Sequence, residues 1–142
     1  MIKPKNTIPL FKVFMSPTAK DKAGEVLDSG YIGQGPKVDE FEKQIGDYFG
    51  NNKVVTTNAG TSALHLALHL LKKPADNFGE GFWPGLNKGD EVLCTPLTCT
   101  ATNWPILLNN VNIRWVDVDD KTCNIDLDDL EKKLNNEFKK IF

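Results

Sequence analysis

The sequence predicts an α/β fold in which a mostly parallel sheet is covered by helices. Two observations carry this expectation. From residue 53 onward three short apolar runs, KVVTTN, EVLCTP and NIRWVDV, are each followed by a segment with helical period, and parallel strands require crossovers of that kind. Ahead of them lie two amphipathic segments whose ends are marked by capping or breaking residues.

In chain order, MIKPKNTIPLFKVF is interrupted by lysines and prolines and reads as an extended arm over residues 1–15. Ser16-Pro17 pairs a capping residue with a proline suited to a first helical turn, and Ala19, Ala23, Val26 and Leu27 follow at helical spacing before Gly30. The linker Tyr31-Ile32-Gly33-Gln34-Gly35-Pro36 excludes a helix and lets a neighbouring backbone approach closely. Val38, Phe41, Ile45, Tyr48 and Phe49 then recur every three or four residues, predicting a second helix that ends near Gly50.

KVVTTN is expected to be a strand, and Thr61 to Leu71 a helix opened by a Gly-Thr-Ser turn. Residues 72–90 hold Pro74, Gly79, Gly81, Pro84, Gly85 and Gly89, so a long loop without regular structure is expected. EVLCTP is the second strand, followed by a helix from around Thr102 to Leu108 that places Pro105 in its first turn. After the third strand, NIRWVDV, Asp126 caps a helix carrying Leu127, Leu130, Leu134 and Phe138, with Asp128 and Asp129 at the positive end of its dipole. The closing KKIF reads as a strand just begun.

Composition narrows the function. The chain has 142 residues, 40% hydrophobic and 25% charged, with a net charge of -2; at this size roughly 68% of the unfolded surface becomes buried. Near-neutral charge provides no basic field, so no nucleic-acid partner is expected. No apolar run approaches the roughly 20 residues that span a bilayer and no signal-peptide core is present, so a cytoplasmic protein with no membrane partner is expected. Cys94, Cys99 and Cys123 include no CxxC pair, arguing against a disulfide framework or zinc site. His65 and His69 have chelating spacing but lack a third ligand, and Asp117, Asp119 and Asp120 read as a solvated turn, so no metal is expected. Trp83, Trp104 and Trp115 are taken as core or interface residues.

The most informative string is Thr56-Thr57-Asn58-Ala59-Gly60-Thr61-Ser62-Ala63-Leu64-His65. Small residues run straight into a helix, so the N–H groups of Gly60, Thr61 and Ser62 converge at its positive end, and two hydroxyls can add donors. That chemistry suits a phosphate dianion; an ordinary helix cap is the competing reading. At the next strand end, Thr95-Pro96-Leu97-Thr98-Cys99-Thr100-Ala101-Thr102 can line the same pocket, because open α/β sheets bind ligands at strand carboxyl ends.

Taken in order, GYIGQGPKVDEFE, NAGTSALHLAL, GDEVLCTPLTCTATN and VDVD followed by NID resemble the amino-terminal part of the DegT/DnrJ/EryC1/StrS family, over roughly residues 8 to 134. These are pyridoxal-phosphate-dependent aminotransferases acting on nucleotide-linked keto-sugars. The resemblance implies the large domain of the fold-type I aminotransferase fold and a homodimer with active sites near the subunit interface. Gly60, Thr61 and Ser62 would hold the phosphate of pyridoxal 5'-phosphate, Thr98 and Cys99 would line the cofactor pocket, and the loop Gly33, Gln34, Gly35, Pro36 would lie near the active site beside the partner subunit. Cys99 stands where the family usually has an aromatic that stacks on the pyridine ring; a cysteine gives a smaller, polarisable contact. The segment 72–88 is longer than the usual link and is expected to be a surface insertion or a substrate-side loop.

The family's catalytic lysine and its pyridine-binding aspartate fall beyond the position of Phe142, and neither Lys72, Lys73 nor Lys88 lies in that motif. Residues 16–142 are therefore expected to be an incomplete large domain, without the small C-terminal domain and without catalytic residues of its own. Its parent would transfer an amino group, from glutamate, to a nucleotide-linked keto-sugar. The alternatives are a dehydratase of the same family, in which histidine replaces the lysine, and a non-catalytic phosphate-binding or dimerising module.

Overall fold

The computed structural model describes residues 9, 11–78 and 81–134. Phe138 and the KKIF segment lie outside them. The chain forms two compact units, one ending at Val55 and the other starting at Thr56.

The first unit contains helices α1 (Ala19–Asp28) and α2 (Pro36–Phe49). The expected start of α1 at Ser16-Pro17 is displaced by a turn: Ser16 O accepts from Ala19 N at 3.0 Å and Ser16 Oγ from Thr18 N at 3.3 Å. The hydroxyl thus closes the turn ahead of the helix. α2 begins earlier than the Val38 periodicity predicts, taking Pro36 out of the linker and into its first turn, where the missing N–H is harmless. It stops at Gly50, whose φ of +65° suits glycine and whose N–H donates to Gly46 O.

The second unit runs α3 (Gly60–Leu70), β1 (Ala75–Phe78), β2 (Gly81–Trp83), β3 (Glu91–Cys94), α4 (Thr100–Leu108), β4 (Asn112–Trp115) and α5 (Leu127–Leu134). β3 and β4 are parallel, in register from Glu91 opposite Asn112 to Cys94 opposite Trp115. With α4 as their crossover they form a βαβ unit, the arrangement that the alternating pattern predicts. α5 begins as expected: Asp126 Oδ1 accepts from the N–H groups of Asp128 and Asp129 at 2.9 and 3.1 Å. Among the described residues no helix is long and apolar enough to cross a membrane.

Three local expectations are corrected. Residues 53–57 form no strand; an apolar run becomes a strand only when a neighbour pairs its backbone, and among the described residues β3 and β4 pair only with each other. α4 begins at Thr100 rather than Thr102, so Pro105 sits in the second turn, where it removes the N–H that would bond Ala101 O. Most consequentially, 72–90 is not an irregular loop. β1 and β2 pair antiparallel across it, and Trp83 and Leu86 enter the core. Glycine and proline exclude a helix there; they do not exclude a hairpin.

The core of this unit is Trp83, Leu86, Val92, Ile106 and Val111, with Leu68, Leu71, Ala75, Cys94 and Ile113 packed around it. Trp83 Nε1 and Leu86 N both donate to Leu71 O, at 2.7 and 2.9 Å, fastening the breaker-rich segment to the end of α3. Trp104 and Trp115 are instead 56% and 45% exposed. Between Trp83 and Leu86, Gly85 has φ of +83°, and a Cβ there would fall inside contact distance of the Lys72 carbonyl oxygen. Gly85→Ala is accordingly expected to cost about 2 kcal/mol or more in urea denaturation, since left-handed strain and a backbone clash add.

Candidate functional site

The loop before α3 folds on itself. Thr57 Oγ1 donates to Ala59 O at 2.9 Å, and Ser62 Oγ donates back to Asn58 Oδ1 at 2.8 Å. Ala59 takes the N-cap position in extended conformation, φ -160° and ψ 154°, and no side chain caps the helix. The first helical bond runs from Ala63 N to Ala59 O at 3.1 Å. The N–H groups of Gly60, Thr61 and Ser62 therefore stand outside the ladder, at the positive end of an eleven-residue helix. Thr61 and Ser62 are half-buried and line a cleft of about 460 Å³ with His65, Leu66, His69 and Leu108. His65 is half-buried and His69 exposed, as helix residues of a partly covered face.

Thr98 and Cys99 lie where the βαβ unit leaves the carboxyl end of β3. Cys99 is exposed and serves as N-cap of α4, with φ -67° and ψ 141°. Thr98 Oγ1 donates to Thr102 Oγ1 at 3.1 Å, and Cys94 Sγ donates to Asn103 Oδ1 at 3.1 Å, tying the strand end to the first turn of the helix. Burial pushes the Cys94 thiol above its ordinary pKa, which keeps it protonated and inert. α3 packs against α4. The helix opened by Gly60-Thr61-Ser62 and the helix capped by Cys99 are thus neighbours within one unit.

Gly33, Gln34, Gly35 and Pro36 belong to the first unit, where they connect α1 to α2. A Cβ at Gly35 would clash with the edge of the Tyr31 ring, so the glycine lets the loop lie against that side chain without displacing it. The loop and Tyr31 border a cleft of about 450 Å³ that also includes Val26 and Val38.

The acidic stretch after β4 is engaged in turn structure. Asp119 Oδ1 accepts from the N–H of Lys121, the N–H of Thr122 and the Thr122 hydroxyl, at 3.1, 2.7 and 2.8 Å, and the Thr122 hydroxyl leads in holding its pKa down. Asp129 Oδ2 accepts from Asp117 N at 2.8 Å and Lys133 Nζ at 2.6 Å, with the Asp117 N–H the larger cause of its lowered pKa. Among the described residues no group of three or more His, Cys, Asp or Glu side chains is placed to hold a metal ion.

Known proteins share the architecture of this chain. The chain is 48% identical to AtS13 from Actinomadura melliaura, with a TM-score of 0.74 over 98% of this chain and 34% of that one. It is 46% identical to the sugar aminotransferase CalS13 from Micromonospora echinospora, with a TM-score of 0.72 over 95% of this chain and 33% of that one. An E. coli GDP-4-keto-6-deoxy-D-mannose-3-dehydratase solved with bound hydrated PLP is 27% identical, with a TM-score of 0.76, over 95% of this chain and 33% of that one. The chain therefore spans about a third of the length of the proteins it matches. Its α/β architecture is the corresponding part of the PLP-dependent sugar aminotransferase fold. The sequence profile of the family matches residues 15–142, and the chain belongs to the DegT/DnrJ/EryC1/StrS aminotransferase family.

Proposed function

We propose that this chain supplies the phosphate-anchoring part of the pyridoxal 5'-phosphate site in a sugar aminotransferase. The observation that carries the reading is the uncapped start of α3, where three first-turn N–H groups stand outside the helix ladder beside the Thr61 hydroxyl. This donor set fits a phosphate ester dianion, because hydrogen bonds and the helix dipole act together without a cationic side chain. Gly60, Thr61 and Ser62 bind the phosphate. Ser62 Oγ also holds Asn58 and so fixes the loop ahead of the donors. Thr98 and Cys99 line the pocket from the start of α4, with the Cys99 sulfur offering a polarisable contact in place of a stacking ring. When bound, the cofactor supplies the electron sink for chemistry at the amino-bearing carbon.

The substrate class in this reading is a nucleotide-linked keto-sugar, with glutamate as amino donor. It is supported by the 46% identity to a sugar aminotransferase and by the keto-sugar named for the related dehydratase. The same likeness to a dehydratase supports a second reading, in which the complete protein removes a hydroxyl instead of transferring an amino group. In both readings the enzyme is a cytoplasmic homodimer and the Gly33–Pro36 loop lies beside the partner subunit. The residues of this chain bind the cofactor in either case, and no lysine among them carries the catalytic role.

Pyridoxamine 5'-phosphate tests the site, since it has no carbonyl to react with surface lysines. Titrated into isotope-labelled protein, it is expected to shift the amide resonances of Gly60, Thr61 and Ser62 saturably, whereas pyridoxamine, lacking the phosphate, leaves them in place. Equal shifts with both compounds, or none with either, would overturn the assignment.

A further inference from the structure

We infer that Asn109, at the end of α4, is a positioning residue for the phosphate-binding end of α3; this rests on the reading of Gly60, Thr61 and Ser62 as phosphate donors. Asn109 is 1% exposed. Its Nδ2 donates to Pro105 O at 2.8 Å within its own helix and to His65 O at 3.2 Å in α3. Its backbone carbonyl accepts from Lys72 Nζ at 3.0 Å. One residue thus fastens α4 to α3 at two levels, through its side chain near the middle of α3 and through its backbone just past the end.

The side-chain bond has the greater leverage on the site. The far end of α3 is already held by Trp83 Nε1 and Leu86 N on Leu71 O, and by the Lys72 bond. Thr61 lies ten residues before Leu71, or about 15 Å along the axis. A tilt of roughly 10° about that fixed end would move the first-turn N–H groups by about 2.6 Å, which breaks a hydrogen bond. The Asn109 bond to His65 O acts about one turn from Thr61 and opposes such a tilt.

The remaining atom of the amide separates positioning from simple packing. Asn109 Oδ1 is buried and has no hydrogen-bond partner among the described residues. A buried amide with an acceptor left over is a poor choice for stability alone, and an apolar side chain of similar volume would remove that penalty. What an apolar residue cannot do is hold His65 O.

Two variants test this in the full chain. Asn109→Leu removes the amide and its orphan acceptor together. Asn109→Ser keeps a short donor able to reach the carbonyl four residues back but not α3, and so remains informative if the leucine variant does not fold. Both are expected to weaken pyridoxamine 5'-phosphate binding about three- to tenfold, the range of one lost hydrogen bond. Both should also speed amide hydrogen exchange at Ala63 and Leu64 relative to Leu68. Val92→Ala, a core truncation in β3, should lower stability while leaving both readouts within twofold.

The inference is overturned if the Asn109 variants retain normal affinity and Ala63 exchange, or if Val92→Ala moves both readouts as far. If the unmodified protein binds no pyridoxamine 5'-phosphate, the cofactor reading fails by itself. The Ala63 exchange then decides the role of Asn109 without it.

Discussion

Trp83→Ala is expected to lower the unfolding free energy by about 3–5 kcal/mol, the range for deleting a buried tryptophan. Trp83 is 8% exposed and packs with Leu86, Val92, Ile106 and Val111, so truncation leaves a cavity in the only core that β3 and α4 share with the hairpin among the described residues. It also removes the indole N–H from Leu71 O, the bond that joins the end of β2 to the end of α3. Trp83→Phe separates the two effects: most of the apolar area remains while the hydrogen bond is lost, for an expected cost of about 1–2 kcal/mol. Urea denaturation followed by far-ultraviolet circular dichroism measures both. A surface insertion makes the opposite prediction, since exposed substitutions away from special features change stability by no more than about 0.5 kcal/mol. A small effect for Trp83→Ala would mean that the 72–88 segment is an appendage after all.

The contrast between this segment and its surroundings shows what could be read from sequence. Several features fixed within a few residues were legible: Gly50 at the end of α2, Asp126 before α5, and the small residues that open α3. Each depends on local geometry, and the structure shows each in place. Among features that depend on a distant partner, the parallel pairing of β3 with β4 was legible from the alternating pattern, but two others were not. The KVVTTN run has strand composition, yet 53–57 is unpaired in any ladder, because composition gives propensity and pairing needs an edge. The hairpin was hidden for the converse reason: its glycines and prolines read as a loop, so that Trp83, expected in a core or interface, had no visible element to carry it there with Leu86.

The candidate site divides the same way. Its helix N-terminus and the Thr98-Cys99 strand end were legible as two strings able to line one pocket, while the direct packing of α3 on α4 was not. Asn109 had no sequence signal beyond marking a helix stop in Asn109-Asn110. Its role emerges only when its amide is seen to reach His65, 44 positions earlier.

Thr61→Asp is expected to move binding and stability in opposite directions, and that opposition makes it the sharper test of the site. In the proposed reading the first turn of α3 receives a phosphate dianion. A carboxylate placed there competes for the same N–H groups and repels the ligand; two negative charges facing one about 5 Å away in a water-like medium lose roughly 1.7 kcal/mol, and more where water is excluded. Affinity for pyridoxamine 5'-phosphate should therefore fall at least about tenfold, and titration calorimetry reads the loss. The same carboxylate suits an uncapped helix start, where an acidic residue contributes about 0.3–1 kcal/mol through the dipole, so the urea midpoint should hold or rise. Thr61→Val removes the hydroxyl while preserving shape and adds no charge, and should weaken binding by only the few-fold of one neutral hydrogen bond. If Thr61→Asp binds as tightly as the unmodified chain, the anion does not sit at this helix end. If it binds weakly because it is also unfolded, the midpoint reveals it, and Thr61→Val then carries the test.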